Sequence, residues 1–375
     1  VLTVEDLVKT YQTPQGPVLA SRGLSFALEQ GEVVSLVGPS GCGKTTALRS
    51  VAGLEVPDAG RITIGEHVVY DSSCRVEVPV HRRPIGMVFQ SYAIWPHMTV
   101  FENVAYPLRV QGRRKVGKEE LHERVMSALA RVRITELASR RATMLSGGQQ
   151  QRVAIARALV RDAEVLLFDE PLSNLDAKLR EEMRGELREL FQETGVSVLY
   201  VTHDLGEALA LSDRLFVLEA GQIVQVGTPE DIYTRPCSEF VARFLGNVAL
   251  VPGEVKARMG ELTVVDSVIG ECLVEGEAAV GAQVTLLVRP EGVRLRPPTE
   301  PGVHAHVDAV LYLGGSIEYR LRLPGGLRFV ARVSPHEERF ATGDEVTVEL
   351  ERTGISMVVG ATTAADVADE LVGAA

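Results

Sequence analysis

The segment Gly38-Pro39-Ser40-Gly41-Cys42-Gly43-Lys44-Thr45 follows directly on the apolar run Val33-Val34-Ser35-Leu36-Val37 and constrains this chain more than any other. An apolar run that short, with no polar alternation, reads as a strand buried on both faces. The glycines behind it let the backbone curl so that successive N–H groups point inward. A helix opening near Thr45 adds the partial positive charge of its N-terminus. In strand–loop–helix context G-x4-G-K-[ST] is a phosphate cradle. Ser40, Gly41, Cys42, Gly43, Lys44, Thr45 and Thr46 are therefore expected around phosphate. Lys44 would neutralise the β- and γ-phosphates and the Thr45 hydroxyl would ligate Mg²⁺. Cys42 reads as a small loop residue, since Lys44 is the one evident group that could lower its thiol pKa.

Two more apolar runs, Val165–Phe168 and Ser197–Val201, alternate with helical patterns. That order predicts an α/β domain with a largely parallel sheet. The first run ends in Asp169-Glu170. Adjacent carboxylates at the tip of a buried strand suit a site in which one acid helps to hold Mg²⁺ and the next polarises water. His203 follows the second run and, at the same sheet edge, could donate to a γ-phosphate. Residues 1–35 read as short strands and residues 101–160 as mostly helical. Leu175, Leu179, Met183, Leu187 and Leu190 fall at helical spacing, with Gly195 as the stop.

The 375 residues, 45% hydrophobic and 24% charged, suffice for two globular domains. A net charge of −11 argues against a general nucleic-acid binder. The acidity is uneven, with 12 Lys+Arg against 20 Asp+Glu in residues 236–375. There Ile317, Tyr319, Leu321 and Leu323 alternate with charged residues, as do Val346, Val348 and Leu350 with Thr347, Glu349 and Glu351. Residues 249–375 are expected to form a small all-β, barrel-like domain behind a linker at 236–248. The four cysteines contain no C-x-x-C pair, which points to a reducing compartment. No apolar run approaches a membrane span, and Val1–Thr10 has no signal-peptide pattern. His304 and His306 read as surface residues, and Arg113-Arg114-Lys115 as a solvated loop.

Leu145-Ser146-Gly147-Gly148-Gln149-Gln150-Gln151-Arg152 resembles the LSGGQ signature of ATP-binding cassette (ABC) ATPases. Physically it is another small-residue loop opening a helix, from Gln149 to Val160. Other family motifs occur in order. Tyr11 matches the aromatic that stacks on adenine, with Val18 beside the nucleotide. Gln90 in Phe89-Gln90-Ser91-Tyr92 matches the Q-loop, Asp169-Glu170 match Walker B, Ser173-Asn174-Leu175-Asp176 the D-loop, and His203 the switch histidine. The resemblance covers residues 1–235, with a helical subdomain at about 91–160. It implies ATP and Mg²⁺ as ligands and a head-to-tail dimer. Each ATP would lie between Lys44 of one copy and Ser146, Gly147, Gly148 and Gln149 of the other, with Asp176 nearby. Glu170 would be the general base. Gln90 would join Thr45 and Asp169 at the metal and report nucleotide state to a membrane partner.

Residues 90–100, the stretch Gly227–Tyr233 and Phe244-Leu245-Gly246-Asn247 resemble importer ATPases of the maltose, sulfate, polyamine and ferric-iron groups. The C-terminal domain is similar to their OB-like (TOBE-type) domain, through Arg289-Pro290-Glu291 and Leu313-Gly314. Trp95, the sole tryptophan, and the segment Asp71–Arg83 point toward ferric-iron, polyamine or phosphonate import. The implied partners are a second cassette, permease subunits and, indirectly, an extracytoplasmic solute-binding protein. The implied place is the cytoplasmic face of the membrane. Two alternatives stand beside this: an ABC ATPase working on nucleic acid or ribosomes, and a P-loop phosphotransferase. Neither a long coiled coil nor a second cassette is present to favour the first, and the second has no use for Ser146-Gly147-Gly148.

Overall fold

Side chains on a strand alternate between faces, so a strand apolar at every position must be covered on both. Val33–Val37 (β3), Val165–Asp169 (β8) and Ser197–Val201 (β9) are buried along their whole lengths. In the computed structural model, which describes residues 1–14, 16–110, 116–161 and 163–359, they are adjacent strands of one sheet. Leu166, Phe168, Val198 and Tyr200 enter the core on one face, and Val165, Leu167, Leu199 and Val201 the core on the other. The described chain divides into two units, residues 1–230 and 231 onward.

The first unit opens with Leu2–Thr13 (β1) and Gly16–Leu28 (β2), a long antiparallel pair. Irregularities after Val4, Leu7 and Lys9 break the side-chain alternation, which is why the sequence reads there as shorter pieces. Helix Lys44–Ala52 (α1) follows β3 through the glycine-rich loop. Ala59–Ile64 (β4), His67–Asp71 (β5) and Val76–Glu77 (β6) complete a sheet of order β2-β1-β4-β5-β6. Ile85–Val88 (β7) belongs to the central sheet. Val100–Val110 (α2), Lys118–Arg131 (α3) and Gly147–Leu159 (α4) form the helical region. Beyond β8 lie Ala177–Thr194 (α5), β9, Leu205–Leu211 (α6), Arg214–Glu219 (β10) and Gln222–Gly227 (β11). The central order is β11-β10-β3-β9-β8-β7, parallel except for the β11 edge. Gly195 ends α5 in the left-handed conformation, its N–H on Phe191 O. Arg113, Arg114 and Lys115 lie outside the described residues.

The division between the two units falls after Glu230, within helix Pro229–Thr234 (α7). The expected linker 236–248 is not bare chain. Ser238 caps a helix, Glu239–Phe244 (α8), whose Ala242 packs with Leu287 and Val358. Ten strands follow: Ala249–Met259 (β12), Leu262–Ser267 (β13), Gly270–Glu275 (β14), Gln283–Val288 (β15), Val293–Arg296 (β16), Val303–Tyr312 (β17), Ile317–Arg322 (β18), Arg328–Val333 (β19), Glu345–Leu350 (β20) and Ile355–Val358 (β21). They make two antiparallel sheets, β14-β13-β12-β15-β21 and β16-β20-β17-β18-β19, around one shared core. The alternation holds in β18 except at Glu318, which is 9% exposed, 3.3 Å from Arg332 and 3.8 Å from Arg320. Thr347, on the face opposite Val346 and Val348, is buried too, its hydroxyl donating to Glu300 O at 3.2 Å. Residues 360–375 of the expected β-domain lie outside the described residues. Phe329 fills the second core at 1% exposure. Phe329→Ala is expected to destabilise this unit by about 3–5 kcal/mol, read as an earlier transition in urea unfolding.

Candidate nucleotide site

The sheet register places three loops at one edge. Leu36 lies opposite Val201, and Val201 opposite Asp169, so β3, β9 and β8 end together. In an open parallel sheet this carboxyl edge is where ligands bind. The loop after β3 has Gly38, Gly41 and Gly43 at φ 154°, 83° and 102°. A Cβ on Gly38 would stand 2.3 Å from Leu218 O, and one on Gly43 2.2 Å from Ala20 O, so both must be glycine. Gly41 faces open space instead, and its positive φ is what favours glycine there.

The loop meets the demands of a polyphosphate. No side chain caps α1 at Gly43, which leaves its first-turn N–H groups for an anion. The Lys44 ammonium is 7% exposed, and donates to Gly38 O at 2.7 Å, Pro39 O at 3.0 Å and Cys42 Sγ at 3.7 Å. These are neutral partners, so its charge is unopposed within the loop. Tyr11, paired with Val18 across β1 and β2, has its hydroxyl 3.3 Å from Thr46 Oγ1. Val18 is exposed, and the Lys9 ammonium stands 5.5 Å from the Tyr11 ring centre.

Across the edge, Asp169 is 5% exposed. Burial pushes its carboxyl pKa up, and Arg49, at 3.4 Å, pulls it back. A buried carboxylate beside a threonine hydroxyl suits Mg²⁺, which takes a few protein oxygens and leaves its other positions to phosphate and water. Among the described residues no cluster of three His, Cys, Asp or Glu forms a self-sufficient metal site. Glu170 turns out of the strand with φ 47° and its N–H on Val201 O at 2.8 Å. A left-handed glutamate costs about 1–2 kcal/mol. The turn brings Glu170 Oε2 to 3.0 Å from Gln90 Nε2 and 3.2 Å from His203 Nδ1. Asn174 Nδ2 donates to Gln90 O at 2.6 Å. Gln90, Glu170 and His203, from three separate segments, therefore meet at one oxygen.

The signature and D-loop residues do not join this group. Ser146 caps α4 in a reciprocal capping box with Gln149, which starts the helix at Gly147, two residues before the expected Gln149. Asp176 caps α5, accepting from Leu179 N at 3.0 Å. A Cβ on Gly148 would stand 3.1 Å from Leu179, so the first turns of α4 and α5 pack against each other. Among the described residues no hydrogen bond or ion pair links Ser146, Gly147, Gly148, Gln149 or Asp176 to the phosphate loop.

Several supporting residues escaped the sequence reading. Arg49 steadies Asp169 and Asn174 steadies Gln90. Arg180 donates to Leu175 O at 3.0 Å and Asp204 Oδ2 at 3.3 Å, joining the segments that carry Asp176 and His203. Glu207 lies beneath at 2% exposure, accepting from Tyr200 and Thr202 hydroxyls at 2.9 Å each, and burial raises its pKa. The one available signal was an arginine or glutamate recurring within apolar helical spacing.

A strand–glycine-loop–helix cradle with an unopposed buried lysine, a carboxylate pair and a histidine at one parallel-sheet edge defines a nucleoside-triphosphatase of the P-loop class. The family model of the ABC transporter matches residues 21–173, and that of the TOBE domain residues 286–357. The Fe(3+) ions import ATP-binding protein of Rhizobium etli is 41% identical, over 96% of this chain and 99% of its own. The spermidine/putrescine import ATP-binding protein of Rubrobacter xylanophilus is 46% identical, over 89% of this chain and 88% of its own. The trehalose/maltose import ATP-binding protein of Thermococcus litoralis is 43% identical, over 89% and 91%. Among solved structures, a dimeric bacterial ABC transporter cassette matches with a TM-score of 0.52 at 32% identity, over 61% of this chain and 99% of its own. The chain belongs to the ATP-binding subunits of ABC importers. It is an ATPase whose hydrolysis of ATP, with Mg²⁺, drives solute import through separate membrane subunits, and none of these relatives is named for work on nucleic acid. Ser146→Ala is expected to lose the α4 cap at a cost of about 0.5–2 kcal/mol, measured by urea denaturation of the nucleotide-free protein.

Proposed function

We propose that Glu170 is the general base of this ATPase, held by Gln90 and His203. The observation that carries it is the convergence of both side chains on Glu170 Oε2, which leaves Oε1 for a water. Lys44 leaves its loop carbonyls to bind the β- and γ-phosphates. Tyr11 and Val18 take the adenine, and Ser40, Gly41, Cys42, Gly43, Thr45 and Thr46 surround the phosphates with amides and hydroxyls. Thr45 and Asp169, with the amide oxygen of Gln90, hold Mg²⁺, which neutralises phosphate charge when bound. Residues 1–235 make up this cassette in the proposed division, with the β-rich domain from 249 as its regulatory partner.

The helix end at Ser146, Gly147, Gly148 and Gln149 is an anion site with no phosphate in its own chain. A second copy, packed head to tail, supplies one. Asp176 and the α5 cap lie beside it, so the paired site couples two active centres, and this dimer is the catalytic form.

Among the described residues no helix is long and apolar enough to cross a membrane. We place the subunit at the cytoplasmic face, held by its permease. A cavity of about 910 Å³ in the first unit is lined by Leu54, Met87, Trp95 and Tyr106, with Arg82 and Arg161 among them. An apolar groove with cationic groups suits a short amphipathic permease helix bearing a carboxylate. Trp95 belongs to this groove. Relatives named for ferric iron, polyamines and trehalose/maltose match the chain almost equally, which supports a solute chosen by other subunits. Ferric iron and polyamines are the solutes to test first, through the binding protein that accompanies the permease.

Lys44→Ala is expected to abolish phosphate release, and normal turnover would refute the cradle. His203→Ala is expected to lower kcat by about 10²-fold or more while ATP titration is unchanged. Glu170→Gln is expected to bind ATP and stall as a dimer in light scattering; a monomer at saturating ATP would refute the paired site. Co-purification from gently solubilised membranes should recover multi-spanning subunits.

A further inference from the structure

The bend behind Gln90 runs against backbone preference. Tyr92 and Ala93 are consecutive non-glycine residues in the left-handed region, at φ 60° and 47°. The bend also buries Tyr92, whose hydroxyl has no hydrogen-bond partner among the described residues. One side chain holds both carbonyls that this geometry turns outward. The Arg157 guanidinium donates from Nη2 to Tyr92 O at 2.6 Å and from Nη1 to Ala93 O at 2.5 Å. Arg157 is 7% exposed, and burial alone lowers its pKa, to about 10, so the group stays charged at neutral pH.

Arg157 touches two further structures. Its guanidinium carbon lies 4.9 Å from the Trp95 ring centre. Trp95 is pinned through its backbone to Asn103, at 2.9 and 3.1 Å, and rests 4.3 Å from Tyr106. Trp95, Tyr106 and Arg157 all line the large cavity. Arg157 also belongs to α4, three turns beyond the Ser146 cap, or about 16 Å at 1.5 Å per residue.

We propose that Arg157 is the positioning residue for Gln90: its guanidinium fork clamps the strained bend and ties it to α4 and to Trp95 at the permease groove. Contact of a permease helix with Trp95 then bears on the cation that fixes the bend. Movement of α4 carries the bend with it, and either changes how Gln90 meets Glu170. A fork is required, because two carbonyls must be held at once, and an ammonium offers no such planar pair of donors. The proposal rests on the role given to Gln90 above.

The test uses the full chain, with Trp95, its sole tryptophan, as a fluorescent reporter. Arg157→Lys keeps the charge and loses the fork. It is expected to lower kcat by about tenfold, within the penalty of up to about 10²-fold for a 1 Å misplacement. ATP affinity should be unchanged, and the Trp95 emission altered. Adding Ala93→Gly removes the left-handed strain at one of the two positions, leaving only Tyr92 against its preference. Arg157→Lys/Ala93→Gly, read against Ala93→Gly alone, is expected to recover most of the lost kcat. Normal kcat and emission in Arg157→Lys, or no recovery in the double variant, overturns the proposal. Gln90→Ala, measured beside them, separates the failures. If it turns over slowly while Arg157→Lys is normal, only the clamp falls. If Gln90→Ala itself is normal, the role of Gln90 falls and the clamp with it.

Discussion

Everything at the active edge depends on three parallel strands ending in register. β3, β9 and β8 are hydrogen-bonded side by side, with Leu36, Val201 and Asp169 at matching heights. Burial on both faces pins that register, because a one-residue slip would exchange the residues of two different cores. Phosphate loop, histidine and carboxylate pair are therefore delivered to one line by hydrophobic packing. The polar residues there contribute little to the sheet and carry local costs: a left-handed Glu170, a buried Asp169 and a Lys44 with neutral partners only.

Those costs share a direction. Each is a group held ready for a ligand of opposite or complementary character. Asp169 is buried where a metal cation would relieve it, with Arg49 as a weaker substitute. Lys44 is satisfied by the carbonyls of Gly38 and Pro39, and in the proposed reading it exchanges them for phosphate. Glu170 is bent away from its strand and steadied by Gln90 and His203, so strain stored in the backbone is offset by side chains from two other loops. Ser146 and Asp176 show the complementary case. Both are used in their own chain as helix caps, which fixes where α4 and α5 begin.

Much of this was legible. Strand–loop–helix at Val33–Ala52, the carboxylates after β8 and the histidine after β9 are encoded within short windows, and local residue types dictate local geometry. The alternation in β18 announced a half-buried strand for the same reason. The misreadings arose where long-range packing overrides the window. Bulges hid the length of β1 and β2, the segment at Glu300 covered Thr347 on the polar face of its strand, and residues 239–244 became a helix on the strands of the second unit.

The sequence by itself determined the family and the side-chain types offered at the edge: a glycine-rich loop with a lysine, two carboxylates and a histidine, because those belong to short windows of the chain. Only the tertiary structure decided that Gln90, Glu170 and His203, from segments up to 113 residues apart, share one carboxylate oxygen. It alone set Arg157 against the carbonyls of Tyr92 and Ala93, 65 and 64 residues away. Such contacts are fixed by sheet order and by the packing of α2 against α4. Both are consequences of burying two cores at once, and no local pattern in the chain records them.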